Sequence, residues 1–182
     1  MKRMTVEYRI DADDRLEIIG SGWARFAIEN GASDLTVIPP EQDLWRFISG
    51  TELTNLWRLL VSRARTGGQP IMVAFRCDGP DVRRLFTMRM IPGPDEALRF
   101  LSTLVRAEPR PTVAALDVRT GRDVTAPLMC VCGWCNRCRD GATWVAVERY
   151  VRDHGLLERT RQPGITHGIC EECAARVRRG DP

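Results

Sequence analysis

The chain has 182 residues, enough for one large domain or two small ones, and a 43% hydrophobic content that supports a buried core and excludes wholesale disorder. Its 27 basic and 24 acidic side chains give a formal charge of +3; residues 1–108 balance at 15 each, which leaves 12 against 9 in residues 109–182. A net excess of three charges over 182 residues makes no strong electrostatic case for nucleic acid.

The opening stretch has no apolar segment of the kind a secretion signal needs, and no apolar run approaches a membrane span. The expectation is a cytoplasmic chain with reduced thiols and no membrane partner. "VEYRID" and "RLEIIG" are β-prone runs separated by the turn "ADD". "SGWARFAIENG" reads as a helix with Trp23, Phe26 and Ala27 on one face and Asn30-Gly31 as its stop. A loop, "SDLTVIPPEQD", and a helical turn, "LWRFIS", follow. In "TELTNLWRLLVSRARTGG", Leu53, Leu56, Trp57, Leu60, Val61 and Ala64 fall at helical spacing, and Gly67-Gly68 ends the helix. Then come three strands, "IMVAFRC", "RRLFTMRMI" and "LRFLSTLVR", with turns at "CDGPD" and "PGPDE".

This order lacks a strand–helix–strand repeat and predicts an α+β fold: a five-stranded antiparallel sheet with helices on one face. Where the helix stripe meets the alternating strand faces, Trp23, Phe26, Trp57, Leu60, Val73, Phe75, Phe86 and Met88 form the expected core. The stretches "YRIDADDRLEIIGSGWARFAIENG", "LWRFISG" and "PIMVAFRCDGPDVRRLFTMRMIP" resemble small bacterial PAS proteins over residues 1–108. The resemblance implies a sensor or interaction domain. It makes Trp23, Phe26, Trp45, Trp57, Phe75, Phe86 and Met88 candidate walls of a small-molecule cavity, and implies a homodimer. Neither histidine lies in residues 1–108, which disfavours a histidine-ligated haem there. Residues 109–127, with Pro109, Pro111, Gly121 and Pro127, read as a linker with a short strand at "TVAALDV".

Residues 128–182 carry the chemistry. "CVCGWCNRC" places Cys130, Cys132, Cys135 and Cys138 in nine positions, and "HGICEEC" adds Cys170 and Cys173. Seven cysteines, an odd number, fit a disulfide framework poorly. Two C-x2-C pairs, Cys132/Cys135 and Cys170/Cys173, match what a tetrahedral zinc ion requires. A helix starting at Cys173 would direct its positive end at the thiolates. Two other readings stay open: an iron–sulfur site on the tight group of four, and a redox-active "CGWC" pair, although no βαβ pattern surrounds it. "TWVAVERYVRDHG" gives a helical stripe of Trp144, Val147 and Val151. A knuckle followed by C-x2-C opening a helix resembles treble-clef zinc modules. Over residues 128–176, Cys-Gly-Trp-Cys, "VERYV" and "HGICEEC" resemble a cysteine-rich module found at the C-termini of bacterial PAS, GAF and response-regulator proteins. That resemblance puts the paired cysteines at Cys132, Cys135, Cys170 and Cys173. His167 falls beside them as an outer contact or alternative ligand. Cys130 and Cys138 lie outside its pattern and are the other alternative ligands.

A closed set of four cysteines leaves a metal no open position for water, and no nucleophile–base pairing stands out, so no enzyme activity is expected. The function expected is non-catalytic bacterial signal transduction, with the PAS-like part sensing a ligand or partner and the zinc module docking to a protein. The alternatives are a nucleic-acid-binding transcriptional regulator using the arginines of the tail and a thiol/zinc redox sensor.

Overall fold

The computed structural model describes residues 4–39 and 41–180. Strands β1 (Thr5–Ile10) and β2 (Leu16–Ile19) form a hairpin, followed by helix α1 (Ser21–Glu29) and two 3-10 turns at Ser33–Leu35 and Leu44–Phe47. Helix α2 (Thr51–Gly67) precedes β3 (Ile71–Arg76), β4 (Val82–Pro92) and β5 (Leu98–Pro109). The five strands form one antiparallel sheet in the order β2-β1-β5-β4-β3, so the last strand lies between the first and the fourth.

Alternation in the strands decides what the sheet buries. Val6 and Ile10, Phe86, Met88 and Met90, and Leu98 and Phe100 all point to one face and are buried. Both helices cover that face: Trp23 of α1 meets Tyr8 edge-on and Phe26 meets Phe86, while Leu56 and Leu60 of α2 share a cluster with Met88 and Phe100. The α2 stripe is as the spacing predicts, with Leu53, Leu56, Leu60, Val61 and Ala64 buried. Gly50, at φ 94°, brings the chain into the helix, and Gly68 closes it in the left-handed conformation. Of the eight expected core residues, Leu60, Val73, Phe86 and Met88 are buried. Trp23, Phe26, Trp57 and Phe75 are only half-buried, because each forms part of a cavity wall.

Beyond β5 the elements shorten: β6 (Arg122–Asp123), β7 (Met129–Cys132), β8 (Cys138–Asp140), β9 (Thr143–Val145), helix α3 (Val147–Asp153), β10 (Gln162–Pro163), β11 (Ile165–Gly168) and helix α4 (Glu171–Arg179). A second sheet runs β11-β7-β8-β9, with β11 parallel to β7. The strand expected at "TVAALDV" is instead a 3-10 turn at Ala114–Leu116. The backbone of Val113 is fixed to Pro80 of the β3–β4 turn at 2.8 Å, which leaves it out of any ladder. Val113 and Ala115 are buried in a second core with Met129, Val131, Cys138, Val147, Val151 and Leu156. Trp144 also departs from expectation: it lies in β9, and α3 buries Val147 and Val151 alone.

The two regions share the first core. Cys132, Trp134, Ile169, Cys170, Cys173, Ala174 and Val177 belong to the same buried cluster as the α2 stripe and the sheet. Arg63 of α2 donates to the last carbonyls of α4, those of Val177 at 3.2 Å and Arg178 at 3.0 Å. No helix among the described residues is long and apolar enough to cross a membrane.

Candidate metal centre and apolar cavities

Two pieces of local structure bring the cysteine pairs together. Parallel pairing of β11 with β7 sets Gly168 opposite Cys132, so both strands end at the same level. After Cys132 the chain turns back at once: the Gly133 amide donates to Gly168, the Asn136 amide donates to the Cys132 carbonyl at 2.9 Å, and Asn136 adopts φ 57°. Asparagine tolerates that left-handed conformation better than most residues. On the other side Cys170 is the N-cap of α4, and its sulfur accepts from the Cys173 amide at 3.4 Å. The Cys170 amide in turn donates to the Cys132 sulfur at 3.4 Å.

The sulfur atoms of Cys132, Cys135, Cys170 and Cys173 all lie within 4.8 Å of one another. Cys135 and Cys170 stand 3.8 Å apart, and a tetrahedral ion with metal–sulfur bonds of about 2.3 Å spaces its sulfurs by about 3.8 Å. All but Cys135 are buried. Thiol hydrogen bonds from Cys135 and Cys173 hold the Cys132 thiol far below its usual range. Donating to Cys132 pushes the Cys135 thiol up to about 12, and Cys173 is driven up for the same reason. The four sulfurs thus lie around a point that a cation could take. These residues fit a metal ion, and they are the sole cluster of three or more metal-capable side chains found among the described residues.

The remaining sulfur and imidazole candidates stand outside this cluster. Cys138 is fully buried in the second core, and burial, with a smaller effect of Cys130, pushes its thiol up to about 12. It packs as a core residue. Cys130 is half-buried beside Gly168. His167 pairs through Nδ1 with the Ser49 hydroxyl at 2.8 Å, tying β11 to the chain entering α2. The tight group of four in "CVCGWCNRC" therefore does not assemble as a unit.

The aromatic candidates divide between two cavities. Trp45 and Trp57 line one of about 200 Å³, together with Leu44, Phe47 and Phe100. Phe26, Phe75, Phe86 and Met88 line the other, of about 260 Å³. Trp23 and Tyr8 line both and form the partition.

Sequence reasoning missed two features. Trp134, between the paired cysteines, is 2% exposed and packs on Trp57 with ring centroids 4.8 Å apart; its place inside "CGWC" was the available signal. Arg110 is buried against Asp78 at 3.2 Å and Glu148 at 3.4 Å, joining the β3–β4 turn to α3. Nothing in the local sequence marks those charges as buried.

No protein-family model matches the chain, and no curated protein sequence matches it.

Proposed function

We propose that the protein is a non-catalytic bacterial signal-transduction protein of the cytoplasm. In this reading a PAS-like unit senses a small ligand or partner and is coupled to a treble-clef-like module built on structural zinc. The observation that carries it is the contact of Trp134 with Trp57. Trp134 sits between two candidate metal ligands, and Trp57 lines an apolar cavity under the sheet. A change in packing around the cavity meets the metal knuckle through one pair of rings. Zinc is favoured over other metals by four thiolates in two C-x2-C pairs, the second opening a helix. The closed donor set supports a structural role. The outer face of the sheet supports pairing of two copies, since Met72, Leu85 and, in the β4–β5 bulge, Val105 are exposed.

Hydrogen exchange on zinc-loaded and chelator-stripped protein tests the coupling. Stripping is expected to deprotect α2 and β3 together with residues 129–138 and 165–180. Deprotection confined to those two short segments would sink it. Sedimentation tests pairing: a dimer is expected, with Val105→Glu reducing it to monomer.

A further inference from the structure

A third space lies at the seam of the two regions, a groove of about 640 Å³. Small-molecule sites favour such places between domains. Leu53, Trp57 and Phe75 line it from the sheet region, and Leu116, Val131 and Ile165 from the other. Most of its polar lining is already matched. Ser49 and His167 hydrogen-bond each other at 2.8 Å. Arg76 pairs with Asp78, whose buried carboxylate also meets Arg110 at 3.2 Å.

Arg122 is the exception. Its guanidinium lines the groove and is fixed by three backbone carbonyls, those of Ala115 at 3.0 Å, Asp117 at 3.0 Å and Pro163 at 3.1 Å. It forms no ion pair with any described residue. The Asp117 carboxylate, on the same turn, pairs with Arg119 at 2.8 Å instead. A guanidinium has five N–H donors, so this one keeps donors to spare and a charge without a counter-ion. Carbonyls hold it in place, and its planar fork matches a carboxylate.

Ile165 and His167, alternate residues of β11, both line the groove, so it runs along that strand. Arg122 meets Pro163 just before β11 begins, whereas Gly168 pairs with Cys132 where it ends. The unpaired cation and the sulfur cluster are thus separated by the length of the strand, about 13 Å.

We infer that this groove binds an amphipathic carboxylate, with the carboxyl group on Arg122 and the apolar tail along β11 toward Leu53 and Trp57. The inference goes beyond the sensor reading above; only its role in signalling rests on that reading.

Calorimetric titration of the zinc-loaded full chain with decanoate, decan-1-ol and decylammonium tests it. Decanoate is expected to bind at least about tenfold tighter than either of the others, the worth of a hydrogen-bonded charge pair. Arg122→Gln is expected to weaken decanoate about tenfold and to leave decan-1-ol unchanged. Because Arg122 also ties three carbonyls, a second position gives an independent reading. Val118 is 58% exposed on the groove wall. Val118→Glu is expected to weaken decanoate severalfold by repulsion, and Val118→Gln to leave it unchanged. Equal affinities for decanoate and decylammonium, a decanoate affinity unchanged in Val118→Glu and Arg122→Gln, or no binding of decanoate would overturn the inference. Tighter binding of acetyl-trileucine than of decanoate would also overturn it and assign the groove to the C-terminus of a protein partner. Hydrogen exchange with saturating decanoate separates this from the sensor reading. Binding as expected with no change in α4, which does not line the groove, removes the sensor reading and leaves the ligand assignment standing. No binding, with α2 still deprotected on zinc stripping, does the reverse.

Discussion

In residues 4–109 the sheet includes strands of up to 12 residues, and α2 lays five buried side chains against it. After residue 110 the strands have two to four residues, the helices seven and nine, and the separate core has eight buried side chains. The first region has long strands and a long helix through which to bury apolar surface. The second adds a cluster of four sulfurs that could hold a metal ion and a face shared with α2. Small cores need staples, and the four sulfurs lie where the two regions meet. Gly50 faces the His167 carbonyl so closely that it has no room for a Cβ, and a Cβ at Gly133 would press on the Leu53 side chain of α2.

The strongest way to break this asymmetry is at the metal. A structural zinc site is worth about 10–16 kcal/mol in small modules. Cys170→Ser is expected to drop the metal content from about one per chain to near zero and to deprotect β7, β11 and α4. Cys138→Ala is expected to keep the metal. Elemental analysis with hydrogen exchange reads both, and the reverse pattern would return the site to the local "CVCGWCNRC" stretch. Pairing of the C-x2-C motifs by itself predicts that the sheet region stays intact in Cys170→Ser; the shared core predicts that α2 loses protection as well.

The seam itself is the next target. Trp134→Ala should cost about 3–5 kcal/mol, as for a fully buried large side chain. Trp57→Ala should cost less, about 1–3 kcal/mol, because Trp57 keeps part of its surface exposed. Urea unfolding measures both, and a larger loss at Trp57 would show that the sheet side dominates the contact.

A smaller effect is expected at Arg63, which satisfies two terminal carbonyls of α4. Arg63→Ala should cost about 1 kcal/mol and fray residues 176–180 first, visible as faster amide exchange there.

The smallest effect is pH-dependent. Burial raises the Glu148 pKa, but the hydrogen bond from Arg83 and the charges of Arg83 and Arg110 outweigh it, so the net shift is downward. A depressed carboxylate adds stability above its unfolded pKa and loses it as pH falls through the folded value. The melting-temperature gap between wild type and Glu148→Gln should be widest near neutrality and close below about pH 4. A gap that persists in acid would mean that packing, and not charge, makes the α3 contact.

The first seven long elements were legible because period decides them: Leu53, Leu56, Leu60 and Ala64 repeat at helical spacing, and Phe86, Met88 and Met90 alternate. The four-sulfur set was legible because two C-x2-C pairs limit the choice. The environment of Cys138 was not legible, since its burial depends on α3 and on Val113 arriving from distant positions. Arg110, Asp78 and Glu148 were invisible for the same reason; a buried ion pair has the same local sequence as an exposed one.

By itself the sequence determined the antiparallel five-stranded sheet, the long amphipathic helix and the identity of the four clustered cysteines. Each follows from spacing along the chain, which local geometry converts directly into a face or a ligand pair. Tertiary structure alone decided that residues 109–127 pack, that one aromatic set divides into two cavities, and that α2 serves both regions at once. Those outcomes depend on which surfaces meet across more than a hundred residues of chain, as Arg63 meets Val177, and no local period encodes such a meeting.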